Sequence, residues 1–167
     1  MAQVKALLKE IFEELNLRIL ELNRANRAEG LAIYPKAEIL LLGQLSLSVD
    51  EKVVARLNLT QTADLDALLK AEFKIKDELK KILPRYGYVY DEDSPLIWIP
   101  PESKFVNLFL LDRITVKYLD AESVLLSKAI KAPKKNKVLI REALATNLFP
   151  SLADRILKHG GNLEDFL

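Results

Sequence analysis

The 167-residue chain contains no cysteine, one histidine and one tryptophan. Without cysteine it can form neither a disulfide framework nor a thiolate metal site. The single histidine, His159, excludes a histidine-rich zinc site and argues against a nucleophile triad built on histidine. The lack of cysteine fits a reducing compartment, so we expect a cytoplasmic protein.

Long apolar runs and an excess of one charge sign are also missing. No run reaches about 18 uninterrupted apolar residues, so we expect no membrane-spanning helix. The N-terminal stretch MAQVKALLKEIFEEL carries charges where a signal peptide would be apolar. The 25 basic and 24 acidic residues leave a net charge of +1, which argues against a broad basic surface for nucleic acid. Length and the lack of a repeat or long linker predict one domain over residues 1–167.

What is present is a hydrophobic pattern that switches between helical and extended spacing. Apolar residues three or four apart predict an amphipathic helix over the first 27 residues, ended by Gly30, and AEILLLG predicts a buried strand. The remaining predicted elements are a short helix capped by Asp50, a strand TADLDALL, a helix FKIKDELKKIL, two strands around a turn in YVYDEDSPLIWI, the strands KFVNLFLL and ITVKYL, and helices over DAESVLLSKAIKA, VLIREALA and SLADRILKHGG. This order predicts an α+β fold, with a small mixed sheet between a long N-terminal helix and C-terminal helices.

Two carboxylates lie one residue apart in the predicted strand TADLDALL. Side chains alternate along a strand, so Asp64 and Asp66 would point to the same side. Like charges this close repel each other unless a cation or water separates them. Mg²⁺ binds one or two carboxylates together with phosphate oxygens and water. The pair therefore predicts a magnesium site, and the alternative is a strand end with two solvated aspartates.

The surroundings of this pair resemble a known family. A strand that ends in Gly43, a short helix and then Thr-x-Asp-x-Asp resemble the core of the nucleotidyltransferase superfamily. Further along, ITVKYLDAESVLLSKAIKA, a basic turn and VLIREAL are similar to the end of minimal bacterial nucleotidyltransferases of toxin–antitoxin and abortive-infection operons. The resemblance extends over residues 37–146.

The resemblance implies a nucleotidyltransferase-like core that transfers a nucleotide from a nucleoside triphosphate to a protein hydroxyl or an RNA end, with Mg²⁺ as cofactor. It also implies a protein partner such as an antitoxin. The residues that it assigns are Asp64 and Asp66 as catalytic metal ligands, Gly43 in the phosphate turn with its neighbour Gln44, Thr62 as the hydroxyl before the metal pair, and Lys128 as the lysine that neutralises phosphate charge.

Members of this superfamily take a third carboxylate from a later strand. In KFVNLFLL the matching residue is Asn107, and Asp112 follows at the end of the strand. Asparagine is neutral, so its presence would weaken metal binding and transfer. The glycine turn also departs from the usual Gly-Gly or Gly-Ser, because Gln44 follows Gly43. These departures favour an alternative, a catalytically inactive nucleotidyltransferase-like module for binding or assembly.

Three further features have two interpretations each. The lysines of KAIKAPKKNK are suited to an RNA backbone or a triphosphate, or they form a solvated junction between helices. Trp98, between Ile97 and Ile99, is a base-stacking platform, a partner-binding patch or a core tryptophan. The acidic run Asp91–Asp93 before Ser-Pro is first a turn signal, although its carboxylates also suit a metal.

Overall fold

The computed structural model describes residues 2–167 of the chain. Within this range lie seven α-helices: α1 (Ala2–Ala28), α2 (Gly43–Ser48), α3 (Glu51–Arg56), α4 (Phe73–Ile82), α5 (Ala121–Lys131), α6 (Lys137–Ala145) and α7 (Leu152–Lys158). The same range contains six strands: β1 (Ala37–Leu41), β2 (Asp64–Leu65), β3 (Ala67–Lys70), β4 (Val89–Tyr90), β5 (Phe105–Leu110) and β6 (Ile114–Leu119). Short 3-10 turns cover Leu83–Tyr86, Ser94–Leu96 and Leu163–Phe166.

The main sheet has four strands in the order β3-β1-β6-β5. The central strand β1 runs antiparallel to β3 and parallel to β6, and β5 and β6 form an antiparallel pair. A separate small sheet consists of β2 and β4, which run parallel. The predicted α+β class with a small mixed sheet is therefore confirmed.

A first hydrophobic cluster joins α1 and α4 to one face of the main sheet. The apolar residues of α1 at spacings of three and four are fully buried, as predicted for an amphipathic helix: Leu8, Ile11, Phe12, Leu15 and Ile19. They pack in one cluster with Ile39 and Leu41 of β1, whose side chains share a face because they are two residues apart.

A second hydrophobic cluster holds the C-terminal helices. It contains buried residues of α5, α6 and α7 together with Leu42, just after β1, and Leu119, at the end of β6. Phe166 of the last 3-10 turn is only 2% exposed and belongs to this cluster. The two clusters therefore meet where β1 ends, next to Gly43.

The start of β1 carries charge on the sheet face turned away from the first cluster. Glu38 forms ion pairs with Lys70 of β3 at 3.6 Å and with Lys117 of β6 at 3.2 Å. Because all three side chains keep contact with water, these pairs contribute little stability. Among residues 2–167, no helix combines the length and the apolar character needed to cross a membrane.

Two predicted β elements differ in the structure. The predicted strand TADLDALL is two strands in two different sheets, and Asp66 lies between them. The predicted pair of strands in YVYDEDSPLIWI is wrong: only Val89–Tyr90 is extended and paired, and Ser94–Leu96 is a 3-10 turn. Pro95 explains the second difference, because it has no N–H for a sheet and its φ suits the start of a helical turn.

The sequence analysis did not predict α2. Its residues QLSLS alternate polar and apolar side chains as a strand would. In the structure Ser46 and Ser48 are buried, and their hydroxyls donate to the carbonyl oxygens of Leu119 and Gln44 at 2.7 and 2.9 Å. These hydrogen bonds allow a helix to bury its polar side chains.

Candidate active site

Gly43 and Asp66 lie in direct contact where β1 ends. The antiparallel register of β1 and β3 pairs Leu41 with Ala67, and the Leu42 N–H then donates to the Asp66 carbonyl at 2.8 Å. Gly43 has a φ of +58°, and a Cβ atom built on it would lie 2.5 Å from Oδ2 of Asp66. Only glycine therefore fits beside this carboxylate in its present position.

Asp91 brings a third carboxylate to the same place. The parallel register pairs Asp64 with Val89 and Leu65 with Tyr90, so the residues that follow the two strands are Asp66 and Asp91. The Asp91 N–H donates to the Leu65 carbonyl at 3.0 Å, which holds the two segments together at this point.

Side-chain hydrogen bonds fix the segment that follows β4 against Asp66. The Ser94 hydroxyl donates to the Asp91 carbonyl at 2.6 Å and accepts from the Ala67 N–H at 3.1 Å. The Tyr90 hydroxyl donates to the Ala67 carbonyl at 2.9 Å. Asp91 is also the turn residue predicted from the sequence, since its carboxylate accepts from the Asp93 N–H at 2.9 Å. The carboxylate cluster formed by Asp64, Asp66 and Asp91 is thus held by backbone and side chain together.

Asp66 is the electrostatic centre of the carboxylate cluster. Burial raises the pKa of Asp66 to about 7, and a hydrogen bond with the Asp91 carboxyl group and the negative charges of Asp91 and Asp64 act in the same direction. The positive charge of Lys128 opposes this shift. The buried Oδ1 of Asp66 has no hydrogen-bond partner within residues 2–167. A buried carboxylate oxygen without a partner is costly, so the site favours a proton or a cation there.

The cluster suits a metal that is shared with a ligand. The part of the chain that the structure describes contains no group of three or more His, Cys, Asp or Glu side chains that could hold a metal ion by itself. Asp64 and Asp66 provide two carboxylates, and Mg²⁺ needs no more than one or two when phosphate oxygens and water complete its shell. The donor set therefore fits Mg²⁺ that arrives with a phosphate ligand.

A cavity of about 400 Å³ opens beside this cluster, and we call it the lysine cavity. Gly43 and Asp66 line it together with residues of α5 and of the turn that follows α5. The lysines in this lining are Lys128, Lys131 and Lys135. Volumes of this order are typical of small-molecule sites.

The three lysines of the cavity form no ion pair with a carboxylate of the described residues 2–167. None of the ion pairs found within residues 2–167 involves Lys128, Lys131 or Lys135. Burial lowers the pKa of Lys128, and the positive charge of Lys135 lowers it further, whereas Asp66 raises it. Three cations that converge without a close counterion favour an anionic ligand.

Gln44 and Thr62, the other two predicted site residues, make hydrogen bonds to the backbone. The Gln44 amide donates to the Thr60 carbonyl at 3.0 Å, and the Thr62 hydroxyl accepts from the Asp64 N–H at 3.1 Å. Thr62 lines a different cavity, of about 430 Å³, together with Ser48 and Tyr88. Both residues shape the loop before Asp64, and neither they nor Asp64 lines the lysine cavity.

The prediction that Asn107, or Asp112 in its stead, occupies the third-carboxylate position is wrong. Asn107 pairs with Lys117 on the far side of β6 and lines another cavity, beside Asp50 and Tyr118. Asp112 precedes Ile114, which pairs with Ala37 at the start of β1, whereas Gly43 follows the end of β1. Asp112 is therefore at the opposite end of the sheet, and Asp91 occupies the place beside Asp66.

Comparisons of the chain with protein-family models, with curated proteins and with solved structures found no match.

Proposed function

We propose that the protein is a Mg²⁺-dependent nucleotidyltransferase that takes a nucleoside triphosphate in the lysine cavity. One observation carries the proposal: Asp66, with its unpartnered Oδ1 and its contact with Gly43, lines the same cavity as Lys128. A buried carboxylate and several lysines on one cavity suit a phosphate chain bound together with a divalent cation. The resemblance of the motifs around Gly43, Asp64 and Asp66 to nucleotidyltransferases supports the same assignment.

Asp64 and Asp66 would hold the metal ion, and the negative charge of Asp91 beside Asp66 would add to the attraction for the cation. When bound, Mg²⁺ would offset phosphate charge and polarise the phosphoryl group that reacts. Because two carboxylate ligands leave most of the coordination shell of Mg²⁺ to phosphate and water, we expect weak binding of Mg²⁺ alone and stronger binding of Mg²⁺ with a nucleotide.

The remaining residues act on the substrate. In nucleotidyl transfer an acceptor hydroxyl oxygen attacks the α-phosphorus, the bond from that phosphorus to the bridging oxygen breaks, and pyrophosphate leaves while the hydroxyl proton passes to a base. Lys128 would stabilise the charge that develops on the leaving pyrophosphate. Gly43, without a side chain, leaves the phosphates access to Asp66. The acceptor is a protein hydroxyl or an RNA end.

Calorimetric titration tests this proposal. ATP, GTP, CTP and UTP are titrated into the protein with Mg²⁺, with Mn²⁺ and with EDTA. We expect binding that the metal strengthens, and the Asp66→Asn variant should lose at least about tenfold in metal-dependent affinity, the loss typical when even a supporting group of a metal site is changed.

Asp93→Asn is the matched control, since it removes the same charge from an exposed side chain in the neighbouring turn. It should bind like the unchanged protein. If no nucleotide binds with either metal, or if Asp66→Asn binds metal and nucleotide as well as the unchanged protein does, the proposal fails.

A second candidate function is binding without turnover, in a catalytically inactive module. It is favoured by the small ligand set of the carboxylate cluster and by Gln44, whose amide is bound to the Thr60 carbonyl instead of facing the cavity. Pyrophosphate release in the presence of RNA or of protein acceptors separates the two candidates. Metal-dependent binding without release under either condition would select the binding module.

A further inference from the structure

The lysine cavity has an apolar wall that phosphate binding does not explain. Leu96, Ile97 and Trp98 line the same cavity as Asp66 and the lysines. Leu96 is 81% exposed although it is a large apolar side chain. The Ser127 hydroxyl donates to the Trp98 carbonyl at 2.6 Å, which fastens this wall to α5.

The Trp98 ring is held in a defined orientation. The Lys131 ammonium lies over the ring, 5.3 Å from its centroid, and the His159 ring meets it at an angle of 72° with the centroids 5.3 Å apart. Lys131 and His159 hold the indole in place, so it loses little further freedom when a flat ligand packs against the part of the ring that they leave exposed. Rigid aromatic rings beside cations are the usual platforms for nucleobases.

The neutral polar side chains of the cavity have no hydrogen left to donate to a base. The Ser127 hydroxyl donates to Trp98, and the Asn136 amide donates to the carbonyls of Ala132 at 2.9 Å and of Lys128 at 3.5 Å. A site that reads one base by its edge needs free donors and acceptors in fixed places. This wall therefore suits recognition by stacking, and the affinity that stacking contributes increases with the area of the ring system.

We infer that the wall of Leu96 and Trp98 binds the base of a purine nucleoside triphosphate by stacking, while Lys131 and Lys135 bind its phosphates. The inference rests on the proposed function for the identity of the ligand as a nucleotide. ATP and GTP should bind about equally and more tightly than CTP and UTP, because purines offer the larger stacking surface.

The shape of the cavity favours a single nucleotide over an RNA strand. A volume of about 400 Å³ accommodates one small ligand. Lys134, in the turn after α5, and Lys137, at the start of α6, do not line the cavity. An RNA strand would contact the exposed lysines at and after the end of α5 to a similar extent, whereas a bound nucleotide contacts only Lys131 and Lys135.

The test is made in EDTA, where neither Asp64 nor Asp66 is needed for binding. ATP, GTP, CTP, UTP and inorganic tripolyphosphate are titrated calorimetrically at low salt. We expect ATP and GTP to bind about tenfold more tightly than tripolyphosphate, since one stacked base contributes an affinity of this order. Trp98 is the only tryptophan of the chain, so acrylamide quenching of its fluorescence should fall with ATP and stay unchanged with tripolyphosphate.

Matched variants separate the base from the phosphates. Leu96→Ala should lower the affinity for ATP and leave the affinity for tripolyphosphate unchanged. Leu110→Ala, at an exposed leucine elsewhere, should change neither affinity. The double variant Lys131→Ala with Lys135→Ala should lower the affinity for both ligands, and the double variant Lys134→Ala with Lys137→Ala should lower neither.

Equal affinities for ATP and tripolyphosphate, or no binding of either, would overturn the inference. So would tight binding of single-stranded RNA that both lysine pairs weaken equally. The proposed function fails separately: if metal adds nothing and Asp66→Asn has no effect in Mg²⁺, the transfer chemistry is wrong even where stacking of ATP holds. Conversely, if binding of Mg²⁺ and ATP depends on Asp66 but is unchanged in Leu96→Ala, the proposed function stands and the stacking inference fails.

Discussion

At the scale of single residues, the contact between Gly43 and Asp66 constrains the site most. The backbone of Gly43 is left-handed, with a φ of +58°, and the carboxylate of Asp66 occupies the space of a side chain. The Leu42 N–H fixes the backbone of Asp66, so the carboxylate has to turn if the space is filled. Conformation and contact therefore both require glycine at this position.

Gly43→Ala should cost more stability than the same change at a glycine with only the backbone constraint. A left-handed alanine costs about 1–2 kcal/mol, and at position 43 the contact with Asp66 adds to that cost. Gly30→Ala is the matched control, since Gly30 has a φ of +72° and nothing within 4 Å of its Cβ position. Urea unfolding measures both. Equal losses of unfolding free energy would show that the Asp66 carboxylate does not press on Gly43.

The sequence predicted Gly43, Asp64, Asp66 and Lys128 as site residues but missed the role of Asp91. Turn chemistry alone explains Asp91, because Asp before Ser-Pro is a common turn. Its position beside Asp66 depends on the parallel pairing of two-residue strands that lie 25 positions apart. No local pattern encodes that pairing, whereas the Asp-x-Asp spacing and the glycine after a strand can be read directly.

At the scale of elements, a buried glutamate ties α4 to α1. Glu78 is almost fully buried and forms ion pairs with Lys74 at 2.9 Å and with Arg18 of α1 at 3.2 Å. Burial alone would raise the pKa of Glu78, but the hydrogen bonds from Lys74 and Arg18 outweigh it and the pKa is lowered. The ionised form of Glu78 therefore stabilises the packing of the two helices.

Glu78→Gln should lower the unfolding free energy at pH 7 by about 1–2 kcal/mol, because charged hydrogen bonds are replaced by neutral ones. A lowered folded-state pKa gives stability that is complete above the ordinary glutamate value of 4.5 and is lost as the pH falls through the lowered value. The difference between the two proteins should therefore shrink below pH 4.5.

Glu21→Gln provides the control for that experiment, since Glu21 pairs with the same Arg18 at 3.2 Å but is 63% exposed. It should change the unfolding free energy little at any pH. Urea titrations from pH 3 to pH 7 measure all three proteins. A loss in Glu78→Gln that does not depend on pH would contradict the role of its charge.

Among the elements, the long periodic helices were predictable and the short β segments were not. The apolar spacing of α1 and the cap at Asp50 agree with the structure, and the Asp50 carboxylate accepts backbone N–H groups at the start of α3. The strand through Asp66 divides because its two halves pair with different partners, β4 and β1. Pairing partners are a property of the fold, so the local pattern could not locate this break.

At the scale of the whole molecule, two hydrophobic clusters meet at the end of one central strand. Leu41, the last residue of β1, belongs to the first cluster, and its neighbour Leu42 belongs to the second. Hydrophobic periodicity predicted which residues are buried, but it could not give the strand order that brings the two clusters together at the end of β1. Because loss of β1 pairing would disrupt both clusters, we expect them to unfold together.

Phe166→Ala should destabilise the entire molecule, although it lies next to the last residue of the chain. Truncation of a buried phenylalanine costs about 3–5 kcal/mol, and Phe166 is 2% exposed in the second cluster. Trp98 packs against the second cluster and its fluorescence reports on it, while circular dichroism is dominated by helices that include α1. Both signals should show lower midpoints in urea, shifted by the same amount.

Leu167→Ala is the control for the terminal position, since this side chain is 80% exposed and should leave both midpoints unchanged. Separate transitions, with only the fluorescence midpoint lowered in Phe166→Ala, would mean that the clusters are independent folding units.

Because Gly43 contacts Asp66, the cost of a substitution at position 43 depends on the residue at position 66. A side chain at position 43 finds room only where the residue 66 carboxylate has been removed or turned out of the cavity. The cost of the left-handed backbone remains in every case, but the additional cost of the contact disappears only in a lineage that has already given up Asp66. The glycine is in this sense a marker of ancestry: a descendant with a bulky residue there would already have lost the Asp66 carboxylate.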